Sequence, residues 1–159
     1  MNITEQDKTF MREAIRLADE SVKNGGGPFG AVIVKDGEIV AGSANSVTID
    51  NDPTAHAEVN TIRKACCKLG TFDLSDCVIY TSCEPCPMCL GAIYWARIGR
   101  IYYGNTKKDA ADIDFADDFI YKELEQHIEH RSVPFIPLLR DEAIKTFRAW
   151  EAKQDKTKY

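Results

Sequence analysis

The sequence predicts one mixed α/β domain in which helices cover a layered sheet. Helix-period and strand-type segments alternate along the chain, and glycine or proline clusters separate them. A length of 159 residues suits a single core, and no repeat, low-complexity tract or linker interrupts it.

From Thr4 to Lys23, apolar residues at Met11, Ala14, Ile15, Ala18 and Val22 fall on one helix face, and Gly25-Gly26-Gly27-Pro28 ends the pattern. Phe29 to Val34, rich in β-branched residues, and Glu38 to Asn45 flank Asp36-Gly37, which predicts a hairpin. Asp52-Pro53-Thr54 predicts the start of a helix running to about Lys68. Cys77 to Thr81 reads as a buried strand. Pro87 opens a helix over Met88 to Arg97, and Arg100 to Gly104 is the next strand. A helix over Asp117 to Gln126, a proline-interrupted strand near Val133 to Leu139 and a helix over Asp141 to Ala152 complete the chain.

Hydrophobic residues make up 44% and charged residues 28%, which excludes disordered and fibrous classes. No apolar run approaches the roughly 20 residues that span a bilayer, and Met1 to Lys8 lacks the regions of a secretory signal, so the cytoplasm is expected. The net charge is −5. Lys107-Lys108 and the Lys153 to Lys158 tail read as solvated surface, so no nucleic-acid or membrane partner is expected.

Six cysteines in a cytosolic chain point to metal or redox chemistry before disulfides. Cys66, Cys67 and Cys77 follow apolar patterns and read as buried thiols. Cys86 and Cys89 sit three apart at a helix start, where free N–H groups and the helix dipole favour thiolates. With His56 they make a His-Cys-Cys set for Zn²⁺ that leaves a fourth position for water. Glu58 is the candidate acid–base residue. Residues two apart in an ideal helix point roughly 200° from each other, so spacing alone does not bring His56 and Glu58 to one site. Cys83 opens an overlapping Cys-x-x-Cys, and His56 with Cys83, Cys86 and Cys89 would make a closed structural site with no room for water. A redox Cys-x-x-Cys protein is the remaining alternative, and it would leave His56 and Glu58 idle.

His-x-Glu with Pro-Cys-x-x-Cys is the signature of zinc deaminases. Residues 28–34 (PFGAVIV), 51–58 (NDPTAHAE) and 80–97 (YTSCEPCPMCLGAIYWAR), with Phe119 to Glu123 and Tyr159, resemble the bacterial guanine deaminases of the cytidine deaminase superfamily. The resemblance implies a cytidine-deaminase-like three-layer α/β/α sandwich with a central five-stranded mixed sheet. It implies zinc on His56, Cys86 and Cys89, and Glu58 as the proton shuttle. It further implies conversion of guanine to xanthine and ammonia in purine metabolism. Asn45 and Asp117 would accept purine N–H groups, Phe29 would pack on the ring, and Tyr159 would cap it. Either Asp117 or Asp118 can be the acid that faces the ligand. Residues 141–159 would be swapped between the subunits of a homodimer. Arg97-Ile98-Gly99-Arg100 is similar instead to the tRNA adenosine deaminases, the alternative enzyme class.

Overall fold

The computed structural model describes residues 3–159, which form two compact units, one running to Asp117 and one from Asp118 to Tyr159. In the first, helix α1 (Glu5–Lys23) starts where the sequence places it. The Thr4 hydroxyl accepts the Asp7 N–H at 3.1 Å, and the Asp7 carboxylate accepts the Thr4 N–H at 2.7 Å. Such a reciprocal cap contributes about 1 kcal/mol.

Strands β1 (Gly30–Lys35) and β2 (Glu38–Ala44) pair antiparallel across a two-residue turn. Asp36 has φ 51° and Gly37 has φ 79°, the paired left-handed conformation that an Asp-Gly turn tolerates. A one-turn helix α2 (Val47–Asp50) precedes α3 (Ala57–Leu69). Strand β3 (Cys77–Cys83), helix α4 (Pro87–Trp95), strand β4 (Arg100–Asn105) and the short α5 (Lys107–Ala111) follow.

The sheet order is β2-β1-β3-β4. Strand β3 is antiparallel to β1 and parallel to β4, and α4 provides the crossover that a parallel pair needs. Strand alternation divides the core into two layers. On one face Ala31, Ile33, Cys77 and Ile79 pack with Ala57, Ala65, Leu74, Ile93 and Ala96, beneath α3 and α4. On the other, Val32, Val34 and Tyr80 pack with Phe10 and Ala14 of α1. Ile33, Leu74 and Ile79 are fully excluded from water. Each such side chain contributes about 1.5–3 kcal/mol by leaving water. This is the expected sandwich of helices around a mixed sheet.

The structure departs from the sequence reading at four places. Four strands form the sheet among the described residues, not five, and 133–139 is irregular. Pro134 and Pro137 explain this, since neither has an N–H to give a ladder. Helix α3 starts at Ala57 and not near Asp52, because the Asp52 carboxylate accepts the Thr54 N–H at 2.8 Å and hydroxyl at 2.7 Å, holding a turn. The short helices α2 and α5 were not expected. Of the three cysteines read as buried, only Cys77 is; Cys67 is exposed and Cys66 half-buried.

In the second unit, α6 (Asp118–Glu125) leads through a single 3₁₀ turn (Ile128–His130) to α7 (Arg140–Ala152). No residue from 118 to 159 is buried. Ile136, Leu138 and Phe147 are exposed at 82%, 80% and 74%. No helix of the described residues is long and apolar enough to cross a membrane.

Candidate active site

Two helix starts meet at the site. His56 is the N-cap of α3, with extended backbone at φ −69° and ψ 155°, and Cys86 is the N-cap of α4, at φ −67° and ψ 168°. Pro87 occupies the first turn of α4, where its missing N–H costs nothing. His56, Cys86 and Cys89 present ligand atoms that all lie within 4.8 Å of one another.

His56 Nδ1 is 3.6 Å from Cys86 Sγ and 3.5 Å from Cys89 Sγ. Zinc–sulfur bonds of about 2.3 Å and a zinc–nitrogen bond of about 2.0–2.1 Å at tetrahedral angles require a separation of about 3.6 Å. These three side chains therefore fit a zinc ion, and they leave a fourth corner. Hydrogen bonding with Cys89, then with His56, brings the Cys86 pKa down to about 4, which favours its thiolate form. The partners move in the opposite sense. The Cys86 thiolate raises the pKa of Cys89, and its hydrogen bond raises that of His56.

Cys83 stands outside this group. Its Sγ lies 3.7 Å from the carbonyl oxygen of Thr106, and burial pushes its pKa up to about 11. The closed four-ligand arrangement is thus not the one formed.

Glu58 is buried in the first turn of α3. Its Oε1 accepts from Thr81 Oγ1 at 3.0 Å and its Oε2 from Cys89 Sγ at 3.4 Å. Burial raises its pKa above the ordinary carboxylate value. The two-residue spacing to His56 is harmless because His56 caps the helix with extended backbone, so ideal helical angles do not apply between them.

The Asn45–Ser46 stretch is tied beside His56. Asn60 Nδ2 donates to the Ala44 and Ala55 carbonyls at 3.1 and 3.2 Å and to Ser46 Oγ at 3.0 Å. The Ser46 N–H donates to the Ala55 carbonyl at 2.9 Å. Asn45 itself is buried, and its Oδ1 accepts the Val47 N–H at 3.2 Å. That contact orients the amide, so Oδ1 keeps a second lone pair and Nδ2 its two N–H donors for a ligand. The Asn45 N–H donates to the Phe29 carbonyl at 2.9 Å, and the Phe29 ring meets Phe115 edge-on at 5.0 Å.

Asp117 is half-buried. Burial first, then the negative charge of Cys86, raises its pKa. Asp118 is exposed and paired with Lys122 at 2.7 Å. Asp117 thus lies in the field of the Cys86 sulfur. Tyr159 is exposed and belongs to residues 118–159.

Sequence reasoning missed Thr81, Asn60 and Phe115. Thr81 had a legible signal, since it shares the strand face of Cys77 and Ile79.

Residues 4–105 match the cytidine and deoxycytidylate deaminase zinc-binding region. The chain belongs to this family. It is 54% identical over 153 residues to the guanine deaminase of Bacillus subtilis, across 96% of this chain and 98% of that protein. The X-ray structure of guanine deaminase from Bacillus subtilis superposes with a TM-score of 0.93 at 53% identity, covering 100% of this chain and 99% of that one. A tRNA-specific adenosine deaminase of Bacillus subtilis is 40% identical over 99 residues, 62% of each chain. The deaminase family explains the zinc-compatible donor set, and the chain is an enzyme of that hydrolytic class.

Proposed function

We propose that this deaminase converts guanine and water to xanthine and ammonia. One observation carries the choice of guanine. Similarity to the Bacillus subtilis guanine deaminase spans 153 residues and so runs beyond residue 105, whereas that to the tRNA-specific adenosine deaminase spans only 99. The net charge of −5 also suits a small substrate better than a polyanion.

His56, Cys86 and Cys89 would hold zinc, which when bound would lower the pKa of a water to about 7. Glu58, shielded from bulk solvent, would carry one proton of the attacking water to the purine ring nitrogen and the other, from the hydroxyl then on C2, to the amine that leaves as ammonia. Asn45 Nδ2 donates to a purine acceptor, and Asp117 accepts a ring or amino N–H. Phe29, held by Phe115, packs on the ring face.

The enzyme works as a homodimer in which residues 141–159 pass to the second copy, where Tyr159 caps the pocket. The exposed Phe147 and the absence of any buried residue in 118–159 support this, since apolar surface of that kind is ordinarily covered. Sedimentation as a monomer would contradict it. Its compartment is the cytoplasm, which suits six cysteines that are all free.

The functional test is ammonia release from guanine, guanosine, adenine, cytosine, cytidine and an anticodon stem-loop, with and without a zinc chelator. Turnover of guanine that the chelator abolishes is expected. Turnover of adenine or the stem-loop without guanine would refute the proposal.

A further inference from the structure

Glu58 has three hydrogen-bond partners: its own backbone N–H, the Cys89 thiol and the Thr81 hydroxyl. They are not equivalent in a working enzyme. A cysteine that ligates zinc does so as a thiolate and has no proton to give. Once Cys89 binds the metal, Thr81 is the side-chain donor left to Glu58 among the described residues.

We infer that Thr81 is a positioning residue, whose Oγ1, donating to Glu58 Oε1 at 3.0 Å, fixes which carboxylate oxygen faces the metal ligands. The inference rests on the reading of Glu58 as the proton shuttle.

Thr81 is built to hold that bond. It is 1% exposed and lies in β3 between Ala31 of β1 and Tyr103 of β4, so ladder pairing constrains its backbone from both sides. Its β-branched side chain is restricted at χ1. Glu58, by contrast, reaches the site on a long side chain from the first turn of a helix. An ionised carboxylate only accepts, so Thr81 must be the donor, and its hydroxyl occupies Oε1 whether or not Oε2 carries a transferred proton. The carboxyl group therefore keeps its orientation through both halves of a proton shuttle. A carboxyl free to turn would present the proton away from the substrate for part of the time.

The test compares wild type, Thr81→Val, Thr81→Ser and Glu58→Gln as zinc-loaded enzymes, through steady-state ammonia release from guanine, zinc content and crystal structures. Thr81→Val keeps the side-chain shape without the donor, and its kcat is expected to fall about 10- to 100-fold, the usual cost of losing a partner that orients a site residue. KM and the zinc content should stay at wild-type values, and the Glu58 carboxyl should occupy more than one orientation. Thr81→Ser restores the donor, and its kcat should return to within about threefold of wild type, showing that the loss followed the hydroxyl and not strand packing. The inference is overturned by a Thr81→Val enzyme with wild-type kcat and a single Glu58 conformer. It is equally overturned if serine fails to rescue. A wild-type enzyme inactive on guanine would defeat the functional reading itself. Active wild type, inactive Glu58→Gln and unimpaired Thr81→Val would defeat the Thr81 role alone.

Discussion

Glu58→Gln separates proton transfer from every other property of the site. Glutamine matches glutamate in volume and still offers an oxygen to Thr81 Oγ1, now 3.0 Å from Glu58 Oε1, so the site should keep its shape. General acid–base catalysis contributes about 10²- to 10⁴-fold, or about 2.7–5.4 kcal/mol of barrier. The upper part of that range is expected here, because Glu58 is only 5% exposed and no bulk water or buffer can replace it. The assay is kcat for ammonia release, with zinc per chain measured on the same samples. Zinc should remain, since Glu58 is outside the ligand set. Stability should also respond. In the metal-stripped protein burial raises the Glu58 pKa above its ordinary 4.5, so the folded state binds this proton more tightly than the unfolded chain. Stability then falls as pH rises through 4.5 and levels off above the raised folded value, where the buried group is charged. Denaturant melts of stripped Glu58→Gln lack this contribution, so the variant should gain on wild type as pH rises. A kcat within about tenfold of wild type, loss of zinc, or the opposite pH trend would refute the role given to Glu58.

Three other perturbations address the remaining parts. Cys83→Ser should leave zinc content unchanged, because Cys83 faces the Thr106 carbonyl; lost zinc would restore the closed-site reading. Gly30→Ala would set a Cβ 2.2 Å from the Ala14 carbonyl oxygen and 2.6 Å from the Ala18 nitrogen, forcing α1 off the sheet. The expected cost is about 1–3 kcal/mol in denaturant unfolding, and a wild-type midpoint would show that α1 yields freely. Hydrogen bonds from Ser75, then from Arg97, hold Asp73 at a pKa of about 2 against an ordinary 3.8. Its contribution is therefore complete above 3.8 and is lost as pH falls toward 2, and Asp73→Asn should flatten acid unfolding over that interval.

Much of the first unit was legible because its signals are local. The α1 periodicity, the Asp36-Gly37 turn and the Pro87 helix start each act within a few residues, and the structure follows them. The fifth strand was misread because an apolar run suggests a strand even where Pro134 and Pro137 remove ladder donors. The start of α3 was misplaced because Asp52 binds Thr54 instead of capping the helix. At the site, residue types identified the metal cluster, but orientation was not local. His56 escapes the helical angle by being extended, Asn45 turns its oxygen to Val47, and Thr81 reaches Glu58 from a strand 23 residues away in sequence. Such pairings depend on how the sheet meets two helix ends, which periodicity does not encode.

X-ray absorption at the zinc edge of the purified enzyme measures the coordination shell directly. Two sulfurs at about 2.3 Å and two nitrogen or oxygen neighbours at about 2.0–2.1 Å are expected from His56, Cys86, Cys89 and one water. A shell with three sulfurs, or one filled by protein atoms alone, would leave no position for the reacting water and would contradict the hydrolytic site described above.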